Sequence, residues 1–230
     1  MVGLLSSIDA GDVLFIDEIH RLPVAVEEQL YTAMEDFRFD LLFGEGTEAR
    51  SVSIDLPRFT LIGATTRVGL VAKPLLDRFG IVTRLDYYDV ESLSAIIADA
   101  LSSLGVSADR QAIALLAQGS RGTPRIALRL CRRVADFFPD RLDEQGARHV
   151  VDRLGLGANG IDEMDRRYLS YLDQVGVPVG ASSLAIALSE GLESIEGVIE
   201  PFLLRQGFVA RTARGRVLTD AGRAVLSATP

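Results

Sequence analysis

Val13-Leu14-Phe15-Ile16-Asp17-Glu18 is the stretch that decides the fold. Four consecutive apolar residues running into two acids read as a strand buried on both faces, with carboxylates at its C-terminal end. After Pro23, the apolar residues Val26, Leu30, Ala33, Met34 and Phe37 recur at helical spacing. Phe59-Thr60-Leu61-Ile62 then reads as a second buried strand, ending in Gly63-Ala64-Thr65-Thr66. Strand, helix, strand is the alternation of an α/β sheet, and such sheets bind ligands at the C-terminal edge of their strands.

A hairpin interrupts this pattern. Phe37, Phe39, Leu41 and Phe43 are apolar at every second position, Gly44-Glu45-Gly46 follows, and Val52 and Ile54 return with polar neighbours. From Asp89 the chain turns helical. Val90, Leu93, Ile97, Ala100, Leu101 and Leu104 form one stripe, and Ile113 and Leu116 lie on a second helix. Thr123-Pro124 starts a third helix through Leu128, Cys131 and Val134, and a fourth passes through Val150 and Leu154. The glycines of 155–160 mark a linker. Beyond it, helices near Met164–Leu172, Ser182–Leu188 and Ser194–Leu204 precede a ribbon of Phe208-Val209-Ala210 and Val217-Leu218, with Gly215 in the turn. Three helices and a hairpin give the order of a winged-helix domain.

At 230 residues, 48% hydrophobic and 24% charged, the chain is expected to fold as two or three compact units. One cysteine and two histidines exclude an internal disulfide framework and a zinc site of the usual kind. No apolar run is long enough to span a bilayer, and a cytoplasmic protein is expected. A net charge of -8 argues against coating nucleic acid by bulk electrostatics, so any DNA contact must be local. Residues 201–219 offer one: the stretch lacks acids and carries Arg205, Arg211, Arg214 and Arg216.

Four apolar residues followed by Asp-Glu match the Walker B motif of P-loop ATPases, in which the first acid helps hold magnesium and the second orients water. In Leu14-Phe15-Ile16-Asp17-Glu18-Ile19-His20-Arg21-Leu22 the motif resembles its form in the RuvB family of AAA+ ATPases. Ile54-Asp55-Leu56-Pro57, residues 61–67, 77–81 and 121–127, Gln206-Gly207-Phe208 and residues 211–216 resemble further RuvB segments in the same order, with Ala213 where proline is expected.

The resemblance implies an α/β fold: a partial AAA+ P-loop ATPase core with the hairpin insertion over 1–85, a helical lid over 86–157 and a winged-helix DNA-binding domain over 158–230. It implies an ATP- and Mg2+-dependent homohexameric motor that drives branch migration of Holliday junctions in recombination and repair, as part of the SOS response. Its partners would be duplex DNA, RuvA through the 38–54 hairpin, and RuvC. Asp17 would work with magnesium, Glu18 would polarise water, Thr66 (rather than Thr65) would sense the γ-phosphate, and Arg78 would be the arginine finger. Glu35, Asp36, Phe37, Tyr88 and Arg125 would line the nucleotide, and Arg211, Arg214 and Arg216 would contact DNA phosphates. An exposed row of Phe39, Leu41 and Phe43 would suit the RuvA contact. Glu193, Glu196 and Glu200 would repel the DNA backbone, making their helix a poor groove reader.

Nothing before Asp17 resembles Gly-x-x-x-x-Gly-Lys-[Ser/Thr], the phosphate-binding loop. The polypeptide is therefore expected to be a fragment, a late-start reading frame or the product of a truncated gene, and to be inactive alone. A clamp-loader-type ATPase and a non-catalytic DNA- or RuvA-binding module are the alternative readings.

Overall fold

The computed structural model describes residues 2–43, 50–157 and 160–228. The chain divides into two compact units, Met1–Leu85 and Asp86–Pro230.

The first unit contains α1 (Val2–Leu5), β1 (Val13–Ile16), α2 (Val24–Glu35), β2 (Arg38–Phe43), β3 (Arg50–Asp55), β4 (Thr60–Gly63) and α3 (Lys73–Leu76). β1 and β4 pair in parallel, with Val13 opposite Thr60 and Ile16 opposite Gly63. A parallel pair needs a crossover, which α2 and the β2–β3 hairpin supply. On one face Leu14, Ile16 and Leu61 pack with Ile19, Leu30, Val71 and Leu75. The other face is open, leaving Val13 60%, Phe15 58% and Ile62 46% exposed. The two strands are thus buried on one face, not on both as the sequence suggests. Alternation sends every second apolar residue to a side that no described element covers.

β2 and β3 pair antiparallel, with Phe39 opposite Ile54. Phe39 is fully buried with Leu5, Ala33 and Leu56, so it cannot belong to an exposed row suited to RuvA. That side of the ribbon lies against the small core shared with α1 and α2. The side chains of Leu41 and Phe43, the Gly44-Glu45-Gly46 connection and Ala158-Asn159 of the linker lie outside the described residues.

The second unit begins with α4 (Val90–Ser103), α5 (Arg110–Gly119), α6 (Pro124–Phe137) and α7 (Glu144–Arg153), with a two-residue parallel pair between β5 (Ser107–Ala108) and β6 (Arg141–Leu142). Local chemistry sets two of the starts: the Asp89 carboxylate accepts from the Ser92 N–H, and that of Asp143 from the Gly146 N–H. Thr123 occupies the N-cap of α6 without a side-chain bond, so the start rests on Pro124 and its preset φ. Leu93, Ile97, Leu116, Leu130, Cys131 and Val150 are among the residues of one core.

A second core, including Tyr168, Leu169, Leu184, Ile195 and Leu203, is built by α8 (Glu163–Val175), α9 (Ala181–Leu188), α10 (Leu192–Ser194), α11 (Glu200–Arg205), β7 (Val209–Thr212), β8 (Gly215–Leu218) and α12 (Asp220–Ala228). Asp162 and Asp165 form a reciprocal capping box on α8. The helix expected over Ser194–Leu204 is interrupted by a wide turn at Ile195–Ile199, where Pro201 has no N–H to bond the Gly197 carbonyl. Gly215 opens β8 rather than sitting in the turn. Its φ is +135°, and a Cβ there would lie 2.5 Å from the Val179 carbonyl oxygen. The approach is this close because Val179 and Arg216 exchange both backbone bonds, at 2.9 and 2.8 Å. The chain continues past the ribbon expected to end it, into α12.

Candidate functional site

The β1–β4 ladder continues past the strands: the Ala64 N–H bonds the Ile16 carbonyl at 2.9 Å, and the Ile19 N–H bonds the Ala64 carbonyl at 3.0 Å. That register brings Thr65 and Thr66 beside the acids. The Thr66 hydroxyl donates to Glu18 Oε2 at 3.2 Å. His20 Nδ1 lies 2.8 Å from the Thr65 hydroxyl and 3.2 Å from Glu18 Oε2. Glu18 adopts φ 50°, ψ 45°, a left-handed conformation that a non-glycine residue holds at a cost of about 1–3 kcal/mol and that clusters at functional sites. Asp17 is exposed, with Oδ1 accepting from the Glu18 N–H at 2.9 Å.

Arg78 follows α3. Its guanidinium pairs with Glu35 Oε1 at 2.9 Å, donates to the Pro74 carbonyl at 2.7 Å and lies 4.8 Å over the Tyr31 ring. The partner is Glu35 and not the adjacent Asp77, because neighbouring residues on a helical turn diverge while distant elements converge. Arg78 Nε is buried without a hydrogen-bond partner. Asp36 pairs with Arg38 at 3.5 Å. Phe37, at φ 52°, sits edge-on to Phe59 and beneath the Arg58 guanidinium. Met34, Phe37, Phe59, Leu61, Arg78 and Phe79 line a cavity of about 160 Å³. Among the described residues, no hydrogen bond or ion pair joins this group to the Glu18–Thr66 pair.

In the second unit, the Tyr88 N–H bonds the Gly122 carbonyl at 3.0 Å, and Arg125 is exposed on the first turn of α6. A cavity of about 320 Å³ beside them is lined by Tyr87, Tyr88, Leu93, Gln118, Arg121 and Arg205, among others. Arg121 is only 13% exposed; it pairs with Asp165 at 2.6 Å and Asp162 at 2.9 Å and lies 4.4 Å over the Phe202 ring. Burial pushes the Asp165 carboxyl up to about 6 despite the attraction of Arg121. Arg205, expected in the basic patch, stacks 3.6 Å over Tyr87 and donates to the Arg121 carbonyl.

On the wing, Glu200 is fully buried and accepts from the Tyr168 hydroxyl at 2.9 Å, from Arg211 Nε at 3.0 Å and from Arg216 Nε at 2.8 Å. Arg216 also reaches Glu196 at 2.7 Å. Burial disfavours the Glu200 carboxylate, but the bonds from Arg216, Arg211 and Tyr168 outweigh it and hold the group below the usual range. Glu200 therefore cannot repel a DNA backbone in the way its sequence position suggests. Arg214 is exposed at the turn.

Three family models match in succession: the Holliday junction DNA helicase RuvB P-loop domain over residues 1–85, the RuvB AAA lid domain over 88–156 and the RuvB C-terminal winged helix domain over 158–227. The Holliday junction branch migration complex subunit RuvB of Campylobacter fetus subsp. fetus (strain 82-40) is 47% identical over 234 residues, which cover all of this chain and 68% of that protein. The chain belongs to the RuvB family. Among solved structures, the Thermotoga maritima RuvB Holliday junction branch migration motor matches with a TM-score of 0.83 at 41% identity, covering 100% of this chain and 74% of that one. A point mutant of the same Thermotoga maritima protein matches at 0.85 and 42%, covering 100% and 75%.

The RuvB assignment bears out the fold class read from the sequence: P-loop ATPase domain, AAA lid and winged helix. Several contacts around these residues left no signal in the sequence. His20 stood in the motif without a role, Tyr31 gave no hint of lying under Arg78, and Tyr168 is separated from Glu200 by 32 positions. Only folding brings such pairs together.

Proposed function

We propose that this chain is a subunit of an ATP-driven motor that branch-migrates Holliday junctions. The Glu18–Thr66 contact carries the reading, because it joins the acid after one strand to the hydroxyl after its parallel neighbour, at the sheet edge where such ATPases bind nucleotide. Asp17 presents a hard carboxylate oxygen suited to magnesium. The ion, when bound, would neutralise charge on the phosphates. In this reading Glu18 orients the attacking water, and Thr66, whose single hydroxyl hydrogen here goes to Glu18, would give it to the γ-phosphate when nucleotide is bound. Arg78 serves a neighbouring subunit of a hexamer as arginine finger, a role for which its guanidinium would exchange Glu35 and the Pro74 carbonyl for phosphate oxygens. Glu35, Asp36 and Phe37 are the first unit's nucleotide-lining residues, and Tyr88 and Arg125 are the second unit's. The lid spans 86–157 and the winged helix 158–230. The wing meets duplex DNA, RuvA docks on the 38–54 hairpin, RuvC joins the resolving complex, and the assembly works in the cytoplasm.

The phosphate-loop pattern is absent from these 230 residues, which favours a second reading of the polypeptide taken alone: a DNA- or RuvA-binding module that does not turn over ATP. Calorimetry with ATP and Mg2+ separates the two readings, since tight binding and hydrolysis lost in Asp17→Asn would refute the second. In a hybrid chain supplied with a phosphate loop, Arg78→Ala should abolish turnover and spare nucleotide binding. Loss of binding would place Arg78 in its own subunit's pocket.

A further inference from the structure

The wing carries three arginines, and the structure gives two of them internal partners. Arg211 and Arg216 both bond the buried Glu200, and Arg216 also bonds Glu196. Arg216 is only 13% exposed, whereas Arg211 is 49% exposed. Tyr168 fixes the Glu200 carboxylate from below. Against burial, the bonds from Arg216, Arg211 and Tyr168 hold the Glu200 carboxyl below the usual range and so favour the ionised form. Two carboxylates thus offset two of three guanidinium charges. Among the described residues, Arg214 has no ion-pair partner, and its backbone N–H is tied to the Thr212 hydroxyl at 3.2 Å.

We infer that Glu200 masks Arg211 and Arg216, so that the wing meets a DNA phosphate with one free guanidinium, that of Arg214. The inference rests on the wing being the DNA contact. A mask of this kind suits a protein that must move along duplex: each phosphate contact adds grip and salt dependence, and a single one is released easily. Glu200 therefore sets how many phosphates the wing neutralises, although it lies too deep to touch DNA itself.

The test is a titration of the 230-residue chain against a labelled duplex at salt concentrations from about 50 to about 200 mM. Arg214→Ala should make the plot of log affinity against log salt shallower by about 0.9, the value of one contact, and Arg211→Ala should leave its slope where it was. Glu200→Gln frees Arg211 while Arg216 keeps Glu196, so the slope should steepen by about 0.9. Its gain in affinity over the parent should then shrink about 3.5-fold across that salt range. Glu193→Gln removes the same charge nearby without touching a wing arginine, and should leave the slope unchanged. Masking is overturned if Arg211→Ala loses as much slope as Arg214→Ala. It is also overturned if Glu200→Gln, with the parent's near-ultraviolet circular dichroism, leaves the slope unchanged. Should Glu200→Gln not fold, Arg211→Ala decides alone. No effect from Arg214→Ala would instead refute the wing as the DNA contact, and the mask with it.

Discussion

Removing the Arg121 side chain should destabilise the second unit by an amount that depends on pH. Arg121 neutralises Asp165, which is 1% exposed and has one oxygen, Oδ1, without a partner. In the parent, the Asp165 carboxyl titrates at about 6 against an ordinary value of 3.8, raised by burial. A raised carboxyl contributes stability that is complete below about 3.8 and is lost as pH rises through about 6; the full swing is roughly 3 kcal/mol. Arg121→Ala takes away the charge that was lowering this value, so Asp165 holds its proton to still higher pH and its ionisation costs more. At pH 8 the variant must either ionise a buried carboxyl without its partner or hold a proton that the unfolded chain has released, and the expected loss is about 3–5 kcal/mol. At pH 5 the proton removes most of that penalty. What remains is the contact over Phe202 and the pair with Asp162, about 1–2 kcal/mol. Urea unfolding of parent and variant at the two pH values, followed by circular dichroism, reads the difference directly. Arg121→Ala combined with Asp165→Asn should recover much of the loss at pH 8. A penalty equal at both pH values, or below about 1 kcal/mol at pH 8, would refute the reasoning.

Gly215→Ala should cost about 2–4 kcal/mol, because its Cβ would meet the Val179 carbonyl at 2.5 Å and φ is +135°; a melting temperature within a degree of the parent's would contradict this. Leu130→Ala, which opens a cavity in the core around Cys131, should lose about 2–5 kcal/mol in denaturant titration, and a loss below that range would mean the site collapses around it. The Cys131 thiol, pushed up to about 11 by burial, should resist a thiol-reactive dye in the native chain and react on unfolding. Rapid labelling of the native protein would show that the core opens.

Elements whose causes are local were legible in the sequence. The four apolar residues before Asp17 form β1, Asp89 caps α4, and Pro124 begins α6, because propensity, periodicity and capping act over a few neighbouring residues. Even Pro201, which sits beside the wide turn, could have warned against one continuous helix over Ser194–Leu204. The order of the motifs, and with it the α/β ATPase core, lid and winged helix, was also written in the chain.

The partners of the charged groups were not. A run without acids from 201 to 219 suggested a surface of free arginines, yet Arg205 stacks on Tyr87, and Arg211 and Arg216 turn to Glu200, just outside that run. The same holds for Phe39, whose alternation fixed a shared side with Leu41 but could not say which side meets the core. Sequence determined which residues would be strands, helices and acids at a strand end, since those depend on near neighbours. Only the tertiary structure decided that Thr66 meets Glu18, that Arg78 meets Glu35 and that Glu200 is buried among arginines, because ion pairs and hydrogen bonds act over a few ångströms between residues that chain separation leaves unrelated.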